Sequence, residues 1–204
     1  MKIMTLSDSA IQTEVINLDD SQTIDKIKFA GQDSVVYRNI LTNQAIHLYY
    51  ERECTLEKVV EYAKCVNEAS LLMQNIHYQE NASLAGEEYK ALVQVNPVLE
   101  VGERMFLIGN KRSSYVYSLS PFISANSLCW PGRTQIKEEQ EVVKNFPIMF
   151  YDRLENYLYD NLPQITGIDI NPVNVKYRVN RERKEIDLII TDIAKNINNI
   201  SRVN

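Results

Sequence analysis

Between Val175 and Ile190 the chain runs twice through alternating apolar and polar residues, once on each side of the polar stretch Asn180-Arg181-Glu182-Arg183-Lys184. Val175, Tyr177 and Val179 alternate with Lys176 and Arg178, and Ile186 to Ile190 returns as a strand. A period of two interrupted by a polar tip is the pattern of a β-hairpin. Residues equidistant from the tip of an antiparallel hairpin face each other. With the tip at Arg183, Asn174 and Asp192 are paired at the open end, with side chains about 5 Å apart. Gly167 releases the chain from a preceding helix, and Asp169, five residues before Asn174, is directed into the same space. A carboxylate and an amide oxygen brought together in this way form a hard-oxygen set suited to Mg²⁺, whose shell phosphate and water oxygens usually complete.

The remainder of the chain divides by pattern. Residues 1–23 form a polar arm or a weak edge strand. Three β-prone runs follow, Ile24 to Ala30, Ser34 to Arg38 and Ala45 to Tyr50, separated by turn residues, and they predict an antiparallel meander. Thr55 is a candidate N-cap for a helix whose apolar spacing runs through Leu56, Val59, Val60, Ala63, Val66 and Leu71. Residues 80–90 are polar and predict an exposed loop. Strand-like runs at Leu92 to Leu99 and Tyr115 to Leu119 flank the apolar run Met105 to Ile108. Residues 135–145 and the segment opened by Pro147, with Phe150, Tyr151, Leu154, Tyr157 and Leu158 at helical spacing, predict two helices.

The chain has 204 residues, of which 45% are hydrophobic, enough for one domain or two small lobes sharing a cleft. Its net charge is -5 and its 22 Lys and Arg are scattered, apart from the run at 181–184, which argues against nucleic acid as a partner. Cys54, Cys65 and Cys129 form no CxxC pair and have only His47 and His77 to join them, so buried thiols in a reducing cytoplasm are expected rather than a zinc site. No apolar run approaches the roughly 20 residues that would span a bilayer.

The segment "GIDINPVNV" resembles the catalytic loop of the protein-kinase superfamily, H-R-D-L-x-P-x-N-V, at Asp169, Pro172, Asn174 and Val175. "LIITDIA" resembles the metal-binding D-F-G segment at Asp192. "FAGQDSVVYR" is similar to a degraded glycine-rich loop around Gly31, and "QAIHLYY" stands where V-A-I-K would, with His47 in the lysine slot. "NEASLLMQ" resembles the pairing helix with Glu68 in the ion-pair position, and "YVYSLSPFISANSL" resembles the fifth strand and hinge. The resemblance covers about residues 24 to 197. It implies an α+β, protein-kinase-like fold: an antiparallel five-stranded sheet with one helix over 24–122, and over 123–204 a truncated, mainly helical lobe carrying the hairpin.

The resemblance also implies roles. Asp192 would hold a Mg²⁺ bridging the phosphates of ATP, Asn174 would ligate a second metal, and Asp169 would orient or deprotonate an acceptor hydroxyl, with Gly31, His47 and Glu68 at the nucleotide. The chain departs from the pattern in several places. His47 is shorter than lysine and only partly charged near neutrality. Lys26 and Lys28 either substitute for it or face solvent, and Asp33 sits in the phosphate loop. Gly167 and Ile168 replace the His-Arg pair, and the sequence ends soon after Asp192, without an activation segment or A-P-E element. Two readings follow. One is an ATP/Mg²⁺-dependent phosphotransferase with an unknown acceptor. The other is a pseudokinase that binds a nucleotide or a protein partner without catalysis, the truncated lobe being covered by that partner or by a second copy. An unrelated α+β interaction domain is the third possibility.

Overall fold

The computed structural model describes residues 2–4, 15–30, 34–50, 54–124, 126–127, 137–194 and 197–202. In chain order its elements begin with β1 (Lys2–Met4), β2 (Ile16–Asn17), β3 (Ile24–Ala30), β4 (Ser34–Asn39) and β5 (Gln44–Tyr49). Helix α1 (Leu56–Ile76) follows, then β6 (Gln79–Leu84), β7 (Glu87–Val95), β8 (Glu100–Ile108), β9 (Lys111–Pro121) and β10 (Asn126–Ser127). Helices α2 (Lys137–Asn145) and α3 (Ile148–Asn161) come next. The chain finishes with β11 (Ile165–Thr166), a 3-10 turn at Pro172–Asn174, β12 (Val175–Asn180), β13 (Glu185–Ile190) and β14 (Ser201–Arg202).

These elements group into two compact units. The first draws on residues within 1–64, 97–123 and 196–198, the second on residues within 65–96, 124–195 and 199–204. In the first unit a sheet runs in the order β1-β8-β9-β5-β4-β3, with β2 also pairing along β8. The meander β3-β4-β5 is antiparallel, as its alternation and turn residues predict. The β4–β5 turn is made by Asn39, whose Oδ1 accepts from the amides of Leu41 at 3.0 Å and Thr42 at 3.1 Å, an Asx turn. One face of this sheet buries Ile24, Tyr37, Ile46, Leu48, Phe106 and Tyr117 together with Leu18.

Helix α1 starts at Thr55, whose Oγ1 accepts from Lys58 N at 3.4 Å and whose carbonyl accepts from Val59 N at 3.1 Å. Its buried face runs through Val59, Tyr62, Ala63, Val66, Ala69, Ser70 and Met73, at helical spacing, whereas Leu71 is exposed. The second unit is built on a sheet of order β10-β12-β13-β7-β6. Strands β12 and β13 are the hairpin expected over 175–190. Strand β13 pairs on its other side with β7, in parallel, from Glu185 opposite Lys90 to Ile190 opposite Val95. Tyr89, Ala91, Val93 and Val95 of β7 and Ile186, Leu188 and Ile190 of β13 are buried, as are Phe150, Tyr151, Leu154 and Leu158 of α3.

The architecture implied by the kinase resemblance is therefore corrected. The described residues hold more strand than helix, the first sheet is larger than five strands, and the second unit is organised on a sheet of its own rather than being mainly helical. The largest single cause is residues 79–95. The polar segment expected to be a loop is the hairpin β6–β7, closed by the two-residue turn Ala85-Gly86 with φ of +54° and +81°. Positive φ at both positions defines a type I′ turn, which matches strand twist and which glycine at the second position favours. The outer strand β6 is covered by α2. Asn145 exchanges two hydrogen bonds with the Ser83 backbone at 2.8 and 2.7 Å, and Glu141 accepts from Ala85 N at 3.0 Å. Side-chain amides and carboxylates thus satisfy a strand edge that would otherwise be open to another chain. Among the described residues no helix is long and apolar enough to cross a membrane.

Candidate functional site

The three oxygen-bearing residues singled out from the sequence all lie in the second unit, at the open end of the β12–β13 hairpin. The hairpin closes over a four-residue turn, 181–184, in which Asn180 Oδ1 accepts from Arg183 N at 3.1 Å and Lys184 has φ of +54°. Its register pairs Asn180 with Glu185 and Val175 with Ile190. The axis of the turn therefore falls between Glu182 and Arg183, not on Arg183, and Asn174 stands opposite Thr191 rather than Asp192. The expected face-to-face pair is corrected by one residue, because the loop has an even number of residues.

The backbone nevertheless gathers the three segments. Thr191 donates to the Asn174 carbonyl twice, from its amide at 2.7 Å and from Oγ1 at 2.8 Å. Asp169 N donates to the carbonyl of Ile193 at 2.8 Å. Each of the other two residues is thus fastened to an immediate neighbour of Asp192. Asp192 itself turns the chain, its Oδ1 accepting from Ala194 N at 3.1 Å. Asn171 sets the turn that leads to Asn174: its side chain accepts from Val173 N at 3.1 Å and its carbonyl from Asn174 N at 2.9 Å. Ile168, Ile170, Val175, Ile193 and Ala194 are buried, while Asp169, Asn174 and Asp192 are only half-buried. The apolar neighbours anchor the segments and leave the polar residues access to water.

Two residues that sequence patterning does not single out complete the surroundings of Asp169. Glu155 Oε1 accepts from Ile170 N at 2.5 Å, and the Tyr159 hydroxyl donates to the Ile168 carbonyl at 2.9 Å. Burial raises the Glu155 carboxyl above the usual range, the Ile170 amide opposes that rise, and the charges of Asp169 and Asp152 add to it. The signal that could have found them is their spacing, four apart on α3, immediately ahead of the loop.

The residues expected at a nucleotide are Gly31, His47 and Glu68. Gly31 and Asp33 lie outside the described residues, and of Lys26 and Lys28 only the β3 backbone is described. His47, on β5 of the first unit, has Nε2 3.3 Å from Ser120 Oγ, and burial pulls its pKa down to about 4, so it is neutral near pH 7. Glu68 belongs to the second unit, where its carboxylate accepts from Gln164 Nε2 at 2.9 Å and pairs with Arg202 at 3.2 Å.

Among the described residues no group of three or more His, Cys, Asp or Glu could hold a metal ion. Asn174 and Asp192 supply one amide and one carboxylate, so a Mg²⁺ there would take most of its oxygens from phosphate and water. The donor types, one amide and one carboxylate oxygen, fit that ion. A depression lined by Leu18, Asp19, Ser21, Ile24, Asp25, Tyr37 and Ile108 lies in the first unit and includes none of the predicted site residues. The sequence matches no protein-family model and no curated protein.

Proposed function

We propose that the protein is an ATP- and Mg²⁺-dependent phosphotransferase acting on a hydroxyl acceptor, with Asp169, Asn174 and Asp192 in the roles that the kinase motif gives them. The observation that carries this reading is the set of backbone ties that fasten Asp169 and Asn174 to the two neighbours of Asp192. Asp192 and Asn174 would hold the metal, and Asp169 orients the acceptor hydroxyl and receives its proton. A Mg²⁺ held by Asp192 and Asn174 would supply positive charge to offset the negative charge of the transferred phosphate. The chain's own contribution is to hold an acceptor group beside the phosphate, which is where most of the rate in such reactions arises.

A second reading, nucleotide binding without turnover, is favoured by His47, which burial keeps neutral where the motif would have a lysine. One experiment separates the two. A ligand that binds only the folded chain stabilises it by RT ln(1 + [L]/Kd), about 2.7 kcal/mol at a hundredfold excess. Mg-ATP is expected to raise the melting temperature of the wild type, and Asp192→Ala is expected to abolish that rise. ADP release that Asp169→Asn eliminates identifies the enzyme, while a rise in melting temperature with no ADP release identifies the binding module. If Asp192→Ala leaves the Mg-ATP shift intact, the metal assignment fails.

A further inference from the structure

Three backbone groups in the two peptide units that flank Asp169 are each held by a different partner. The carbonyl of Ile168 accepts from the Tyr159 hydroxyl at 2.9 Å, the amide of Asp169 donates to Ile193 O at 2.8 Å, and the amide of Ile170 donates to Glu155 Oε1 at 2.5 Å. Two of the three partners are side chains four positions apart on α3, hence on one face of that helix. Ile168 and Ile170 are buried, so their backbone groups need partners. A neutral group would serve as well for stability.

The partner at Ile170 is instead a carboxylate, held beside two others, Asp152 and Asp169, in surroundings that disfavour its charge. A glutamine at 155 would accept the same hydrogen bond without that repulsion. The charged acceptor gives a shorter and stiffer bond than an amide would. Because the bonds lie on both sides of Asp169, they restrict the two backbone dihedrals that set the direction of its Cα–Cβ bond.

We propose that Glu155 and Tyr159 are positioning residues for Asp169, fixing the direction in which its carboxylate meets the acceptor. This rests on the phosphotransfer reading and deepens it: α3 sets the geometry of the base, while the hairpin carries the metal ligands.

The test uses the full chain and Glu155→Ala, Glu155→Gln and Tyr159→Phe, with two measurements. Amide hydrogen exchange at Ile170 and Asp169 reports the clamp, and release of ADP and inorganic phosphate from Mg-ATP, with water as the hydroxyl acceptor, reports the reaction. Misplacement of a catalytic group by about 1 Å costs up to roughly 100-fold in rate. Glu155→Ala and Tyr159→Phe are expected to lower kcat by on the order of 10- to 100-fold, with KM for ATP within about twofold. Glu155→Ala is expected to speed exchange at Ile170, and Glu155→Gln, which accepts the amide through a weaker neutral bond, to recover only part of both.

Unaltered exchange in Glu155→Ala overturns the proposal, as does faster exchange or lower melting temperature with unchanged kcat, which would make the clamp merely structural. Should Glu155→Ala fail to fold, Tyr159→Phe, which removes only a hydroxyl, carries the same comparison. Wild-type protein that releases no ADP overturns the phosphotransfer reading and this inference together. Turnover indifferent to both variants overturns this inference alone.

Discussion

Gly167 and Gly86 have nearly the same backbone conformation, φ of +77° and +81°, but different surroundings, and the contrast permits a quantitative prediction. A Cβ added at Gly86 meets nothing within 4 Å. One added at Gly167 runs into the Asn199 backbone, 2.5 Å from its carbonyl carbon and 3.0 Å from Ile200 N. Gly86→Ala therefore incurs only the left-handed conformation, about 1–2 kcal/mol. Gly167→Ala incurs the same term plus a backbone overlap. Relieving the overlap moves the segment whose Ser201 and Arg202 pair with Thr166 and Ile165 and whose Arg202 meets Glu68. Overpacking of this kind costs about 1–3 kcal/mol. The total for Gly167→Ala is then about 2–5 kcal/mol. Urea denaturation of both variants, compared at matched m-values, measures the difference directly. Both positions belong to the second unit, so the comparison holds whether or not the two units unfold together. Equal losses in the two variants would refute the close approach of residue 199 to Gly167.

Two further outcomes follow from the geometry. Burial lowers the His47 pKa from 6.5 to about 4, so the unfolded chain binds this proton more readily. Stability is therefore level above pH 6.5 and falls by at most about 1.4 kcal/mol per pH unit as the pH drops from 6.5 towards 4; His47→Gln should flatten that slope in pH-dependent urea titrations. Thr191→Val keeps the shape of the side chain but removes the Oγ1 bond to the Asn174 carbonyl, and should cost about 1 kcal/mol in the same assay while loosening Mg-ATP binding; unchanged binding would detach Asn174 from the metal.

What could be foreseen from the sequence, and what could not, follows the range of the interactions. The β3-β4-β5 meander and the β12–β13 hairpin have alternating residues and polar turns within a few positions, so local pattern suffices. Strand β6 escaped notice because its inward residues are only Ala82 and Leu84, and its outward ones are polar groups common in loops. The parallel pairing of β7 with β13 joins distant segments and leaves no local mark. At the site, backbone hydrogen bonds join 169 to 193 and 174 to 191, while the expected hairpin register was off by one residue because turn length cannot be read from composition alone. Glu155 and Tyr159 were hidden because helical periodicity directs attention to Leu154 and Leu158, the core face beside them.

The parallel pair of β7 with β13 has a consequence for biosynthesis. Strand β7 leaves the ribosome long before its partner: the chain must grow from Val95 to Glu185 before that side of β7 can be closed. Until then the nascent polypeptide carries a hairpin with an unsatisfied row of amides and carbonyls, open to misassociation with a neighbouring chain. Closing the second unit thus waits on a long loop, whose entropy must be met before the pairing rewards it.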